Sequence, residues 1–286
     1  MTTHLVTGTT GQLGRLIVES LLGRDIAPSD IVATARDVED VADLAAQGVV
    51  VRRADYDDPA SLKEAFVGVD RAVLVSSNAV GQRVEQHRNV IAAAAEAGVE
   101  LLAYTSVLNA DTTGLALADE HKATEQLLAE SGVPHVLLRN SWYLENYTGN
   151  QANALEHGVV LGSAADGRVS AASRADYADA AAAVIAGGNH AGRVYELAGD
   201  ESFSMSEYAA ELTQASGRPV VYRDLPFDDY VSALVETGVP HAYAELLADS
   251  DRGIARGDLF STSNDLSQLI GRPTTRLAYA VREALA

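Results

Sequence analysis

Short apolar runs and longer amphipathic stretches alternate along the first half of the chain. The apolar runs are continuous rather than interrupted by polar residues, as is typical of parallel strands covered on both faces. They predict strands at residues 4–6, 31–35, 49–53, 71–76, 101–106 and 133–139. The stretches between them predict helices from about residue 12 and at 38–47, 58–68, 81–97 and 118–131. Strands that alternate with helices predict an α/β fold with a doubly wound parallel sheet.

The pattern changes after Asn140, where the regular alternation stops. From there the sequence predicts strands at 194–197 and 220–222, and helices at 175–186, 206–216, from 228 onward, 263–271 and 275–286. We therefore expect a larger domain over residues 1–150 and a smaller C-terminal α/β domain over residues 151–286. The smaller domain is expected to pack against the carboxyl edge of the sheet, with some of its segments returning to that sheet.

A glycine-rich turn joins the first predicted strand to the first predicted helix. Gly8 allows a sharp turn off the strand, Gly11 allows the backbone to approach a pyrophosphate, and Gly14 allows the helix to pack closely on the strand. Free N–H groups at the helix start also favour phosphate. Ordinary turns can be rich in glycine, so the motif alone is weak evidence. Its position in the chain predicts dinucleotide binding by Gly8, Thr9, Thr10, Gly11, Gln12, Leu13 and Gly14.

Other candidate site residues follow the later strands of the predicted sheet. In a doubly wound sheet, ligands bind beyond the carboxyl ends of the strands. Contacts with the cofactor are therefore expected from Ser76, Ser77, Asn78, Thr105, Ser106 and Asn140. The stretch from residue 140 to 147 should also line the site. Tyr104 has two interpretations, as a site residue or as a core residue.

The end of the second predicted strand indicates which dinucleotide binds. NAD-binding sheets usually place a carboxylate here, hydrogen-bonded to the ribose 2′-hydroxyl. This chain has Arg36, and a planar cation with forked donors suits the 2′-phosphate of NADP. We therefore predict NADP (NADPH) as the cofactor; the alternative is that Arg36 is a solvated charge beside Asp37. Asp55, after the third strand, could approach the adenine or cap the next helix.

Composition and charge narrow the classes of function. The 286 residues carry a formal net charge of −19 without a basic cluster, which disfavours binding to nucleic acid or to an anionic membrane. The chain has no cysteine, which removes disulfides, thiolate metal sites and cysteine nucleophiles, and we expect no metal. The sequence shows neither a signal segment nor an apolar run of membrane-spanning length. We therefore expect a cytoplasmic protein.

Taken together, these motifs resemble those of the NmrA-like atypical short-chain dehydrogenases/reductases, in particular their quinone-reducing members. The resemblance extends over nearly the whole chain, and the combination of motifs is specific although no single motif is. It is carried by the glycine turn, Arg36 and residues 81–90, 103–106, 118–121, 138–143, 174–178, 195–199, 247–251 and 269–273.

The resemblance implies a Rossmann doubly wound sheet with the electron acceptor in a cleft beside the smaller domain. It implies transfer of a hydride from NADPH to a quinone or a similar conjugated acceptor, without flavin. One alternative is an NADP(H)-binding redox sensor that regulates a partner without turnover. Another is a reductase of a different acceptor, such as a triarylmethane dye, a choice that residues 140–150 would set. We expect a monomer or a homodimer.

The pair of residues that the broader superfamily uses for proton transfer is missing. That pair is Tyr-x-x-x-Lys on the helix after the fifth strand. Here the lysine position falls on His121 and the tyrosine position on Leu117, which argues against alcohol oxidation and sugar-nucleotide epimerisation. Quinone reduction needs this tyrosine less, because a quinone already accepts hydride well and the protein mainly positions two rings.

Two residues remain as catalytic candidates, His121 and Tyr143. His121 could bond the nicotinamide ribose or supply the proton; the alternative is a histidine on the helix surface. The neighbouring Lys122 should point about 100° away from it and be solvated. Tyr143, together with Trp142, could stack on a quinone; the alternative is packing between the two domains.

Overall fold

The structure, a computed structural model, describes residues 2–286. Its largest element is a parallel sheet built from β1 (His4–Val6), β2 (Ile31–Ala35), β3 (Val50–Arg53), β4 (Arg71–Leu74), β5 (Leu101–Val107), β6 (His135–Asn140) and β9 (Val194–Leu197). The seven strands lie in the order β3-β2-β1-β4-β5-β6-β9, and all neighbours are parallel. The predicted doubly wound sheet is confirmed. Its order reverses between β1 and β4, which opens a crevice at their carboxyl ends.

Helices cover both faces of this sheet. The first five are α1 (Gln12–Leu22), α2 (Ala42–Ala46), α3 (Pro59–Ala65), α4 (Arg83–Ala97) and α5 (Ala118–Ser131). Apolar side chains of α3, α4 and α5 form one core around Phe66 and Tyr104. On the opposite face, α1 forms a second core with α8 (Arg174–Ala186) and α12 (Asp265–Ile270). Among the helices in residues 2–286, none has the length and apolar character that crossing a bilayer requires.

Segments from the second half of the chain complete the sheet and its helical layers. β9 pairs with β6 at the edge of the sheet, and α8 packs on α1. Arg272, just after α12, reaches back to α8, where its Nη1 lies 2.6 Å from Oδ1 of the buried Asp176. Its Nη2 lies 2.7 Å from Oδ2 of Asp179. This double ion pair fastens the C-terminal segment to the larger sheet.

The remaining elements form a smaller lobe at the carboxyl edge of the sheet. They are α6 (Glu145–Thr148), α7 (Gln151–His157), β7 (Val159–Gly162), β8 (Arg168–Val169), β10 (Phe203–Ser204), α9 (Met205–Ser216), β11 (Val221–Asp224), α10 (Phe227–Glu236), α11 (His241–Arg256) and α13 (Leu277–Glu283). β7 runs parallel to β11, and β8 runs antiparallel to β10. The lobe core contains Phe203 and Leu212 together with Val107 from the end of β5, so the lobe borders the crevice.

Several boundaries differ from the prediction for local reasons. The helix predicted at 81–97 begins at Arg83, because Gly81 has a φ of +86°. The helix predicted at 38–47 is a 3-10 turn (Val38–Val41) followed by the short α2, since valine loses side-chain freedom in a helix and Asp37 hydrogen-bonds the backbone N–H of Glu39 instead. The helix predicted from 228 is two helices, separated at Gly238 (φ +93°) and Pro240.

Candidate active site

A cleft of about 670 Å³ runs along the carboxyl ends of the strands, from the glycine turn to Tyr143. Its wall is built from the loops that follow the central strands and from the segment that leads into the smaller lobe. Of the predicted site residues it contains Gly8, Thr10, Gly11, Gln12, Leu13, Gly14, Arg36, Ser76, Ser77, Asn78, Thr105, Ser106, His121, Asn140 and Tyr143. Thr9 is the one predicted site residue outside the wall, and the others share one continuous cavity.

The glycine turn has the geometry that a pyrophosphate site needs. Gly8 has a φ of +64°, in the left-handed region that glycine adopts without strain. A Cβ at Gly14 would lie 2.4 Å from the carbonyl oxygen of Gly8, so α1 packs on the turn only because this position is glycine. Gly11 caps α1 without a side chain, which leaves the N–H groups of the first helical turn free of intrahelical partners. This end of the cleft therefore fits a bound phosphate.

Thr9 faces the interior instead of the cleft. Its backbone N–H and its hydroxyl both donate to the carbonyl oxygen of Thr34, at 3.2 and 2.9 Å. The hydroxyl of Thr34 donates in turn to the carbonyl oxygen of Val6 at 3.2 Å. Thr9 thus fastens the glycine turn to β2 and keeps its shape.

Arg36 lies in the cleft wall at the end of β2, exposed to solvent. Within residues 2–286 its guanidinium has no ion-pair partner. The carboxylate of the neighbouring Asp37 does not pair with Arg36, and its Oδ1 accepts the backbone N–H of Glu39 at 3.1 Å. Asp55 also lines the cleft, and its Oδ1 accepts the N–H of Asp57 at 3.1 Å, while Asp58 is the cap of α3. The free cation at the end of β2 therefore fits a ligand phosphate.

Four buried polar atoms of cleft-lining residues lack a hydrogen-bond partner within the described chain: Oδ1 of Asn140, Oγ of Ser76, Oε1 of Gln86 and Nη1 of Arg83. Such atoms are costly unless something completes them, so they fit a ligand that supplies the missing donors or acceptors. Thr105 and Ser106 differ, because their hydroxyls are engaged. Thr105 Oγ1 accepts the N–H of Ser76 at 2.9 Å, and Ser106 donates to Glu125 at 2.6 Å. These two residues shape the wall.

His121 lies in the cleft wall and not on the helix surface, since it is only 6% exposed. Its Nδ1 is 2.7 Å from the hydroxyl of Tyr104, which is fully buried on β5. Burial, aided by the charge of Arg83, lowers the pKa of His121 to about 3. Burial raises the pKa of Tyr104, so the phenol keeps its proton. A neutral imidazole backed by a phenol thus lies in the wall of the cleft.

His87 fixes the loop after β4 from one layer behind the cleft. Its Nε2 accepts the N–H of Ser77 at 3.1 Å, and its Nδ1 lies 2.9 Å from the hydroxyl of Thr124. Thr124 donates its own proton to the carbonyl oxygen of Glu120 at 2.8 Å, so the hydrogen between the two side chains is on Nδ1. This ring is therefore neutral, in agreement with the burial that lowers the pKa of His87 to about 3.

The sequence analysis missed Arg83, which the structure places in the cleft wall. Arg83 is the first residue of α4 and is 9% exposed, and its Nε donates to the carbonyl oxygen of Ser77 at 2.5 Å. A signal was present in the sequence, because Arg83 and His87 are four residues apart and share one face of the helix. A cation and a histidine on an inward face are typical of a polar site.

Tyr143 and Trp142 lie where the cleft meets the smaller lobe. The rings of Tyr143 and Tyr177 pack edge to face, with their centroids 5.4 Å apart. The guanidinium carbon of Arg174 lies 4.6 Å from the centroid of the Tyr143 ring. Trp142 lines the cleft and also packs against the lobe core. Arg174, in the cleft wall as well, was not expected from the sequence.

The helix that carries His121 shows what replaces the missing proton-transfer pair. Leu117 occupies the tyrosine position and lines the cleft. Lys122 is outside the wall, and its Nζ donates to the carbonyl oxygen of Thr113 at 3.1 Å. Its side chain is 38% exposed, so Lys122 points away from the cleft and reaches solvent, as predicted. The cleft contains an aliphatic side chain where a catalytic hydroxyl would be.

Comparison with known proteins gives matches over nearly the whole chain. The NmrA-like family matches residues 2–279. Quinone oxidoreductase 2 of Escherichia coli (strain K12) is 52% identical over 276 residues, 96% of each chain. The crystal structure of NADPH-dependent quinone oxidoreductase from Escherichia coli complexed with NADPH has a TM-score of 0.97 at 51% identity, covering 99% of this chain and 100% of that one. Triphenylmethane reductase of Citrobacter sp. complexed with NADP(H) has a TM-score of 0.94 at 36% identity, covering 99% and 100%. By sequence and by structure, this chain belongs to the NmrA-like family.

Proposed function

We propose that this protein is an NADPH-dependent oxidoreductase that reduces a quinone or a similar conjugated acceptor without flavin. The observation that carries the proposal is the continuous cleft that joins the glycine turn to His121 and Tyr143. The relative from Escherichia coli, similar over the full chain, is itself an NADPH-dependent quinone oxidoreductase. We propose that it acts in the cytoplasm, as a monomer or a homodimer.

The cofactor would be held along the length of the cleft. The first turn of α1, from Gln12 to Gly14, would bind the pyrophosphate through backbone N–H groups. Arg36 would pair with the 2′-phosphate, because a forked guanidinium matches phosphate oxygens. Asn140 and Ser76 would complete their free polar atoms on the nicotinamide half. When bound, NADPH supplies a hydride to the acceptor.

His121 would donate a hydrogen bond to the oxygen of the reduced acceptor, and the proton that this oxygen needs would come from water, because a neutral imidazole does not give up its N–H proton. The hydroxyl of Tyr104 donates a hydrogen bond to Nδ1, which leaves the hydrogen of the neutral ring on Nε2. His121 lines the cleft, so this N–H can donate to an oxygen of the acceptor. Tyr104 holds the ring in that tautomer and is a positioning residue.

The acceptor would lie against Tyr143, on the side of the cleft that borders the smaller lobe. The edge-to-face contact with Tyr177 and the guanidinium of Arg174 hold the Tyr143 ring in place. A fixed aromatic ring is a suitable surface for a flat quinone. We therefore propose that residues 1–150 carry the nucleotide-binding part and residues 151–286 the substrate-side part, apart from α8, β9 and α12 in the larger sheet.

The test is NADPH oxidation, followed by absorbance, with benzoquinone present and no flavin added. NADH is run alongside, and NADPH binding is measured separately by titration. Rapid consumption of NADPH, with slower consumption of NADH, is the expected result. Binding of NADPH without consumption would contradict the proposal and favour a redox sensor.

A further inference from the structure

The guanidinium of Arg83 is buried, and only some of its N–H groups donate hydrogen bonds within the protein. Its side chain is 11% exposed, and its Nε donates to the carbonyl oxygen of Ser77. Nη1 is buried and has no hydrogen-bond partner within residues 2–286. Because Arg83 lines the cleft, this unused hydrogen-bonding capacity is available to a ligand bound there.

The charge of Arg83 is weakly neutralised. The nearest carboxylate is that of Glu120, whose Oε2 lies 3.9 Å from Nη1, too far for a hydrogen bond. The other oxygen of Glu120 accepts the backbone N–H groups of Gly81 and Arg83, at 3.0 and 3.2 Å. A poorly paired buried charge is costly to a fold. An apolar side chain would fill the same space at lower cost, so packing alone does not explain an arginine here.

Arg83 lies at the end of the cleft where the acceptor is expected. Its Nη1 lies 3.9 Å from Oε2 of Glu120, the residue before His121, and both Arg83 and His121 line the cleft, as does Tyr143. Besides burial, the charge of Arg83 contributes to the lowered pKa of His121. The guanidinium thus shares this part of the cleft with His121.

We propose that Arg83 is a further catalytic residue, whose free guanidinium edge stabilises the negative charge that develops on the acceptor oxygen during reduction. The proposal rests on the proposed function. The quinone gains a hydride, that is two electrons and one proton, and becomes a hydroquinone monoanion, while NADPH is oxidised to NADP⁺. One further proton, from water, completes the hydroquinone, while the neutral His121 donates a hydrogen bond to its oxygen. A fixed cation in a cleft with little water acts strongly on such a developing charge.

The experiment compares Arg83→Met and Arg83→Lys with Arg88→Met and the unchanged protein. Arg88 is on the same helix, with its side chain 51% exposed, so it is a matched control. For each protein, kcat and KM for benzoquinone are measured at saturating NADPH, together with the Kd for NADPH and the Tm. Arg83→Gln replaces Arg83→Met should the latter not fold.

If the charge of Arg83 stabilises the acceptor oxygen during reduction, kcat, KM and Tm should respond differently to its removal. In Arg83→Met, kcat should fall about 100-fold, in the range seen when one oxyanion donor is removed. The KM should change little, because a neutral quinone carries no charge before the transfer. Arg83→Lys should recover part of the rate, and Arg88→Met should behave as the unchanged protein. Because a poorly paired buried charge is removed, the Tm of Arg83→Met should not fall.

Three results would overturn the proposal. The first is a kcat in Arg83→Met within about threefold of the unchanged protein, a smaller loss than removing one transition-state donor causes. The second is a weakening of NADPH binding that matches the loss of rate, which would place Arg83 on the cofactor. The third is no quinone reduction by the unchanged protein, which alone would also remove the proposed function.

Discussion

At the residue scale, the cleft is marked by polar groups that find no partner inside the protein. Asn140 Oδ1, Ser76 Oγ and Nη1 of Arg83 are buried and unpaired within the described chain, and the exposed Arg36 lies in the wall of the same cleft. Thr105 and Ser106, which look equally functional in the sequence, are instead satisfied by neighbouring protein groups. The difference lies in the partners that tertiary packing provides.

Arg36→Glu should abolish the preference for NADPH. The change removes a charge-assisted contact with the 2′-phosphate and adds repulsion, while a carboxylate here could bond the 2′-hydroxyl of NADH. We expect the ratio of kcat/KM for NADPH to that for NADH to fall at least about 30-fold. Arg88→Glu makes the same change of charge away from the cleft and should leave the ratio unaltered. An unchanged ratio in Arg36→Glu would remove Arg36 from the cofactor site.

His121→Ala should lower kcat with benzoquinone by about 10- to 100-fold, because a hydrogen bond to a charged oxygen contributes about 1.5–3 kcal/mol. The Kd for NADPH, measured by titration, separates the two possible roles: loss of a hydrogen bond to the acceptor leaves it unchanged, and loss of a ribose contact weakens it. His241→Ala, with a side chain 69% exposed, is the control. Because the pKa of His121 is lowered to about 3, the rate should show no histidine titration between pH 5 and 8.

At the scale of elements, the turn between β1 and α1 is the most constrained part of the site. Thr9 fastens the turn to β2, and Gly14 brings α1 within contact of the Gly8 carbonyl. The first turn of α1 is thereby aimed at the cleft. Shifting this helix would move together all the N–H groups proposed to bind the pyrophosphate.

Gly14→Ala should damage both stability and cofactor binding. The new Cβ would lie 2.4 Å from the Gly8 carbonyl oxygen and 3.0 Å from that of Thr7, so α1 must move away from the turn. We expect a loss of roughly 2 kcal/mol or more in unfolding free energy and at least tenfold weaker NADPH binding. Gly23→Ala, at the other end of α1, meets its nearest atoms at 3.5 and 3.6 Å and should be nearly neutral. Calorimetry and a binding titration give both values, and normal NADPH binding by Gly14→Ala would contradict this account of the turn.

At the scale of the whole molecule, the smaller lobe is held together by polar contacts as well as by its core. Asp251 on α11 accepts the N–H of Ser163 through Oδ2 at 2.7 Å, which joins the longest helix of the lobe to the end of β7. Asp224 lies nearby on β11, where it accepts the hydroxyl of Tyr222 at 2.8 Å. Burial, reinforced by the charge of Asp224, raises the pKa of Asp251 to about 6.

This raised pKa predicts how the stability of the lobe depends on pH. The folded-state pKa of Asp251 is above its unfolded value, so the native state binds the proton more tightly. The contribution of Asp251 to stability therefore rises as the pH falls from about 6 toward 4, and it is lost as the pH rises through 6. Relative to Asp251→Asn, the Tm of the unchanged protein should gain about 2–6 °C between pH 7 and 4.5. Glu245→Gln on the exposed side of α11 is the control, and a constant difference in Tm across this range would refute the account.

Site residues could be predicted from the sequence where their position depends on neighbouring residues in the chain. The glycine turn, Arg36 and the residues after each strand were placed correctly in the cleft wall, since a strand end and a turn are encoded by neighbouring residues. Arg83 and Arg174 were missed, because each reaches the cleft from a helix whose orientation depends on distant packing. The inward direction of Thr9 likewise depends on a hydrogen bond to Thr34, 25 residues away.

The sequence by itself determined the parallel α/β sheet, the position of the nucleotide turn and the missing proton-transfer pair, because periodicity, glycine spacing and residue identity are local properties. The tertiary structure decided the environment of His121, which is buried against Tyr104 on β5 rather than exposed on its helix. It also decided that Arg83 stays poorly paired in the wall of the cleft. Burial and the distances between charges depend on which distant segments pack together, and they set the pKa values and free hydrogen-bonding groups on which the chemistry depends.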